Sequence, residues 1–237
     1  MKPGEVLGLI PARGGSKGIP RKNLLWLAGR PLLGYTIEAA LGARTLKRVI
    51  VSTDDAEIAG VAKQCGAEVP FLRPPEYATD TASSISVIHH ALSWLERNEG
   101  YRPRGVALLA PTCPLRGAAQ IDGTVELWRA SGLDSAVTVY PFEKNPYAVY
   151  TRQPDGRLVE VFEMARRPQR RQDLPPYFTH SQAVMVSSAD YLASVDDSAP
   201  VVHWGSSVGF EIDRVSGFDI DAPTDLLIAE ALMRQSP

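Results

Sequence analysis

Two stretches at opposite ends of this 237-residue chain carry side chains suited to holding a charged phosphate ester. Near the start, Pro11-Ala12-Arg13-Gly14-Gly15-Ser16-Lys17-Gly18-Ile19-Pro20-Arg21-Lys22-Asn23 packs four cationic side chains into ten residues among glycines. Glycine lets backbone N–H groups approach phosphate oxygens, and Arg13 and Lys17 supply countercharge to a polyphosphate. The loop is not a Walker motif, because Gly18-Ile19-Pro20 follows Lys17 where Ser or Thr would open a helix, and its glycines do not fit GxGxxG. Near the finish stands Asp219-Ile220-Asp221. At the end of a strand these two carboxylates would leave on one face and could share a hard cation, for which Mg²⁺, with oxygen ligands and retained waters, is the natural candidate. The competing reading makes Asp221 a helix cap, and Asp54-Asp55 reads as a cap in preference to a metal pair.

Other reactive side chains carry weaker signals. The two cysteines, Cys65 and Cys113, have no CxxC spacing, which excludes a disulfide framework or zinc cage and fits a reducing cytosol. Cys113 has no histidine tied to it by a local signature and reads as a packed thiol. His89 and His90 point to different faces of one helix, and His203 beside Trp204 reads as structural. With 25 basic and 27 acidic residues the net charge is −2, which argues against a nucleic-acid binder and makes any anion site local. No run of eighteen apolar residues occurs, and the first apolar stretch is too brief for a signal-peptide core, so the expectation is a cytoplasmic protein that does not span a membrane.

These groups need a scaffold. Val6–Ile10, Val49–Ser52, Val106–Leu109 and Ser135–Val139 read as strands. Between them lie amphipathic helices: one from Pro31 with Leu33, Ile37 and Leu41; one after Asp54 or Asp55, ended by Gly66; one from Ser83 or Ser84 with Ile85, Ile88, Leu92 and Leu95; and one with Ile121, Val125 and Trp128. This alternation implies an α/β fold with a mostly parallel, Rossmann-like sheet covered by helices on both faces. Val69–Leu72 reads as a short edge strand; Ala183–Ser187 and Val201–Trp204 read as strands, with a short helical turn at Tyr191-Leu192 between them. Asp155-Gly156 signals a hairpin, so an antiparallel arm is expected. The resulting division is 1–140 for the first part of the nucleotide-binding domain, 141–177 for an inserted arm, and 178–237 for the return with the metal site. Pro223 suits the first turn of a terminal helix.

Taken together, Ile10–Asn23, Val51–Asp55, Leu72–Pro74, Asp80–Ser84, Leu108–Arg116, Arg171–Pro175 and Asp219–Asp221 make the chain resemble, over nearly its whole length, the cytidylyltransferases that activate nonulosonic acids. That family comprises the CMP-sialic, CMP-legionaminic and CMP-pseudaminic acid synthetases. The resemblance implies a GT-A-like α/β domain, an arm that makes a homodimer, Mg²⁺ dependence, and reaction of CTP with a sugar acid to give CMP-sugar and pyrophosphate. It further implies that Arg13, Lys17 and Lys22 contact the triphosphate, that Asn23 helps hold the nucleotide, and that Arg73 and Ser84 recognise cytosine. Asp219 and Asp221 would bind the metal. Arg171 would reach a partner subunit's site and meet the acceptor carboxylate, an interaction suited to its bidentate fork.

Departures from the family cluster on the acceptor side. Ala110 stands where glutamine is usual, Cys113 where serine is usual, and Ser181-Gln182 replaces Asn-Gly behind Phe178-Thr179-His180. Ala110 and His180 are therefore candidate acceptor contacts with altered chemistry. A different nonulosonic or ulosonic acid, or a non-sugar acid such as a phosphonate, would fit that change. A GT-A glycosyltransferase using Asp219-Ile220-Asp221 as a DxD-like site, and a nucleotide-binding homologue without turnover, are the remaining alternatives.

Overall fold

The computed structural model describes residues 4–16, 18–142, 146–162 and 175–235. In chain order, β1 (Val6–Pro11) leads through the glycine loop and a small hairpin, β2 (Trp26–Leu27) with β3 (Arg30–Pro31), into α1 (Leu32–Gly42). Then come β4 (Leu46–Ser52), α2 (Ala56–Gln64), α3 (Ser84–Glu99), β5 (Gly105–Leu108), α4 (Ala118–Ser131) and β6 (Ser135–Pro141). A separate hairpin, β7 (Tyr150–Arg152) with β8 (Leu158–Glu160), precedes β9 (Phe178–Ser188), α5 (Ala189–Ser194), β10 (Ser207–Glu211) and α6 (Pro223–Gln235). The six-stranded sheet runs β10-β6-β9-β5-β1-β4, parallel except for β9, which is antiparallel to both neighbours.

The period of two along the strands divides the core into two layers. In β1, Val6 and Ile10 join the cluster under α1, α2 and α4, with Leu33, Ile37, Ile58 and Ile121. Leu7 and Leu9 join the opposite cluster, with Ile85, Ile88 and Leu95 of α3 and Leu192 of α5. Both faces of the strand are therefore dry, which is why it reads as an unbroken apolar run. Helix ends follow local chemistry: Asp55 caps α2 by accepting from Glu57 N and Ile58 N, Ser83 caps α3 through Ser86 N, and Gly100 closes α3 with φ of 63°.

Several expectations are corrected. Val69–Leu72 forms no strand; only Glu68 makes an isolated bridge, to Ile50, because Pro70 has no N–H to extend the ladder. Val201–Trp204 is irregular and leads into a 3-10 turn, and the strand falls at β10 instead. Asp219-Ile220-Asp221 is not strand: Ile220 N bonds to Thr112 O, outside any ladder. The Asp155-Gly156 turn does join β7 to β8, with Gly156 at φ of 88°. The chain leaves the sheet at Pro141 and re-enters at Phe178, and these two residues are register partners.

Candidate active site

A cleft of about 330 Å³ opens where β1 and β5 end, at the point where the chain's connections diverge to either side of β1. Such a crevice beyond the carboxyl ends of parallel strands is where open α/β sheets bind ligands. The glycine loop forms one wall, and it is drawn against the far end of the chain by a small apolar cluster in which Ile19 and Ile220 are buried with Leu27, Leu32 and Ala229. Burying each isoleucine is worth about 1.5–3 kcal/mol. Their neighbours must then meet across the cleft. Lys22 Nζ donates to Ile220 O at 2.6 Å and lies 3.6 Å from Asp221 Oδ1. Gly18 faces the same segment so closely that a Cβ there would stand 2.8 Å from Asp221 O, which requires glycine.

The nucleotide candidates divide by role. Arg13 lines the cleft, donates to Thr79 O at 3.0 Å and pairs with Asp80 at 2.9 Å. Asn23 also lines it, but its amide donates to Arg13 O at 3.1 Å and so braces the loop. Ser84 is exposed on the cleft because Ser83 does the capping. Arg73 is only 4% exposed and lines a second cavity of about 230 Å³ that shares Pro11, Arg13 and Ser84 with the first. Its Nε and Nη2 have no hydrogen-bond partner, and Asp54 is 3.9 Å away. Burial pulls its pKa below the usual arginine value, against the pull of Asp54. Phe71 and Tyr77 pack on His90, whose pKa burial, then Arg73, lowers from the ordinary imidazole value.

The two carboxylates do not present alike. Asp221, with its side chain 80% exposed, lines the cleft, whereas Asp219 is half-buried and its Oδ1 lies 3.7 Å from the Cys113 thiol. Helix capping falls to Asp225, which accepts from Asp221 N and Ala222 N, so the Asp221 carboxylate is not used as a cap. Burial, then Asp219, pushes the Cys113 thiol up to about 12, which leaves it protonated and unfit as a nucleophile.

On the side where the sequence places the acceptor candidates, the cleft is lined by Ala110, Thr112, Gln182 and Met185. His180 is not on it; the ring is exposed and packs edge-on against Trp204, centroids 5.2 Å apart. Lys17 and Arg171 lie outside the described residues. Two residues that the sequence did not single out as site residues matter here. Gln182 was visible only as a substitution in a family pattern, and Arg116, buried beneath the acceptor wall, carries no local signal of burial.

Comparison with known proteins now decides the family. Residues 7–101 match the family described as Cytidylyltransferase. The CMP-N,N'-diacetyllegionaminic acid synthase of Legionella pneumophila is 34% identical over 97% of this chain and 96% of its own. The chain belongs to the acylneuraminate cytidylyltransferase family. This cytidylyltransferase is also 31% identical, over 98% of its length, to the N-acylneuraminate cytidylyltransferase of Escherichia coli, of which it spans 52%. Its fold matches a CMP:2-keto-3-deoxy-manno-octonic acid synthetase solved with CTP, at a TM-score of 0.71 and 20% identity, covering 98% of this chain and all of that one. No helix among the described residues is long and apolar enough to cross a membrane.

Proposed function

We propose that this cytidylyltransferase transfers CMP from CTP to an acidic sugar of the nonulosonic or ulosonic class, with Mg²⁺, as a cytoplasmic homodimer. The observation that carries the reading is the meeting of Lys22 with Ile220 and Asp221 across a cleft whose adjoining cavity holds Arg73, a buried arginine with two nitrogens left without hydrogen-bond partners. An acceptor hydroxyl gives up its proton to solvent and attacks the α-phosphorus in line, the new O–P bond forms as the bond to the bridging α–β oxygen breaks, and pyrophosphate leaves. Lys22 and Arg13 hold the triphosphate and offset its charge, which makes positioning and electrostatics the main sources of rate. Arg73 has donors left for cytosine O2 and N3, and Ser84 adds a hydroxyl.

The residues fit the cation. Asp221 offers an exposed hard carboxylate, Asp219 stands two positions before it, and among the described residues no cluster of three His, Cys, Asp or Glu could enclose a metal. A site with few protein ligands, completed by phosphate oxygens and water, is what Mg²⁺ prefers. When bound, Mg²⁺ supplies charge neutralisation at the phosphoryl oxygens and lowers the pKa of a coordinated hydroxyl. The dimer reading draws on the arm, where Val149, Tyr150, Leu158, Val159 and Phe162 are exposed on a two-stranded hairpin. A lone hairpin is marginal in water, and a second copy would cover those side chains.

The test is pyrophosphate release from each of the four NTPs with N-acetylneuraminic, legionaminic, pseudaminic and 2-keto-3-deoxy-manno-octonic acids and with phosphonates, with and without Mg²⁺. CTP-selective, Mg²⁺-dependent release with one sugar acid is expected. Release with a phosphonate alone would move the acceptor outside the sugar class, and no release with any acid would refute the reading.

A further inference from the structure

The acceptor wall rests on an irregularity in β9. Val137 pairs with Met185 and Val139 with His180, so Thr138 alone stands opposite Ser181–Val184. Residues expelled from a ladder lose their backbone partners, and where they are buried those groups must be satisfied by side chains. Three do so here. Thr138 Oγ1 accepts from Val184 N at 3.2 Å and lies 3.1 Å from Ser181 O. Ser181 Oγ accepts from Ala183 N and donates to Gly217 O, both at 3.1 Å. Arg116 Nη1 donates to Ala183 O at 2.7 Å and to Ala110 O at 3.1 Å.

The result is a fixed bulge with Ser181 and Ala183 turned inward and Gln182 turned out onto the cleft. Its carboxamide has no partner among the described residues, and of the other groups on that side Ala110 and Met185 are apolar while Thr112 adds one hydroxyl. Arg116 is 2% exposed, no carboxylate among the described residues pairs with it, and its Nε and Nη2 have no hydrogen-bond partner there. A lone buried cation is costly, and in this place it ties β9 to the segment that follows β5.

We propose that Gln182 selects the acceptor and that Arg116 is its positioning residue, a statement that rests on the functional reading above. A carboxamide both donates and accepts, so it matches a hydroxyl or acylamino group on the sugar acid and rejects an apolar substituent.

The probes are N-acetylneuraminic acid and 2-keto-3-deoxynononic acid, which carries a hydroxyl where the former carries its acylamino group, with CTP and Mg²⁺. Gln182→Ala should lower kcat/KM for whichever probe is preferred by about ten- to a hundred-fold while the KM for CTP stays within about two-fold. A loss confined to N-acetylneuraminic acid identifies the acylamino group, and a similar loss with both identifies a shared hydroxyl. Arg116→Met should reproduce the acceptor defect, with partial rescue by Arg116→Lys. Thr138→Val, which keeps the side-chain shape and removes the hydroxyl's contacts with Ser181 and Val184, tests the same role without removing the buried Arg116 and should cost the acceptor about three- to ten-fold. Unchanged acceptor kinetics in Gln182→Ala, or equal losses toward CTP and acceptor in the Arg116 and Thr138 variants, would overturn the inference and leave the functional reading standing. If the wild-type enzyme activates neither probe with any NTP, Gln182 falls as a selector of these two groups, while the functional reading is judged by the wider acid panel.

Discussion

The two walls of the cleft are built by different rules. On the triphosphate wall, backbone does most of the placing: Gly18 permits close approach to Asp221, Arg21 in the left-handed region at φ of 52° turns the chain, and Lys22 follows at once with its amine on Ile220 O. On the acceptor wall, side chains do the placing, through Thr138, Ser181 and Arg116 at a bulge. Backbone-built sites tolerate little change in residue type, whereas a bulge can present a new side chain without moving the sheet. That contrast leaves the wall at Gln182 freer to change its side chains than the wall at Gly18 and Lys22.

The largest effect expected from breaking the triphosphate wall is in Asp221→Ala, which should lower Mg²⁺-dependent pyrophosphate release by about 10³-fold, with Lys22→Ala costing about 10²–10³-fold. Near-normal turnover in either would show that the wall does not act as described. Arg73→Met should raise the KM for CTP and narrow the preference for CTP over UTP by about 5- to 100-fold in kcat/KM, read from parallel titrations of the two nucleotides. The same KM rise toward the acceptor would mean that the arginine supports the whole cleft instead.

Away from both walls, Asp122 of α4 should matter to stability and not to selectivity. It accepts from Thr45 N at 2.9 Å, Thr45 Oγ1 at 2.8 Å and Arg44 N at 3.3 Å, pinning α4 to the turn before β4. Burial opposes its ionisation, yet these hydrogen bonds outweigh burial and hold its pKa below the usual carboxylate value. A depressed folded pKa means that this stabilisation is complete above about pH 4 and is lost as pH falls through the lower folded value. Asp122→Asn should cost about 1–3 kcal/mol at pH 7 and flatten the acid side of the Tm profile. An unchanged acid limb would remove Asp122 from that role. The smallest effect is expected at Cys113: with the thiol pushed up to about 12, alkylation by iodoacetamide at pH 8 should leave it unlabelled over hours, and rapid labelling of the folded enzyme would contradict its burial.

Much of the scaffold was legible because single-sequence signals and tertiary packing agreed. The runs at Val6–Ile10 and Val106–Leu109, the stripe of α3 and the cap at Asp55 all depend on period or on local hydrogen bonds. Where tertiary partners decide, the reading failed. β10 holds Ser207 and Gly209, poor strand formers that pair because β6 offers an edge, and Val69–Leu72 has strand-like side chains but no ladder beside Pro70. The glycine loop stands out by its glycines and cations alone, and the fold places Gly18 and Lys22 of it against Asp221. His180 was drawn toward the site by its neighbours in sequence, yet it sits before the bulge and packs on Trp204, while Gln182 two residues on faces the cleft. Arg116 was invisible for a plainer reason: an arginine in a proline-rich turn is ordinarily a surface residue.

The central claim is that Lys22 and Asp221, 199 positions apart and 3.6 Å distant, act on one metal-bound triphosphate. A double-mutant cycle in pyrophosphate release, comparing wild type, Lys22→Ala, Asp221→Ala and the double variant at saturating acceptor, measures this directly. The account predicts strong coupling, with the double variant losing little more than the worse single one; losses that simply multiply would contradict it.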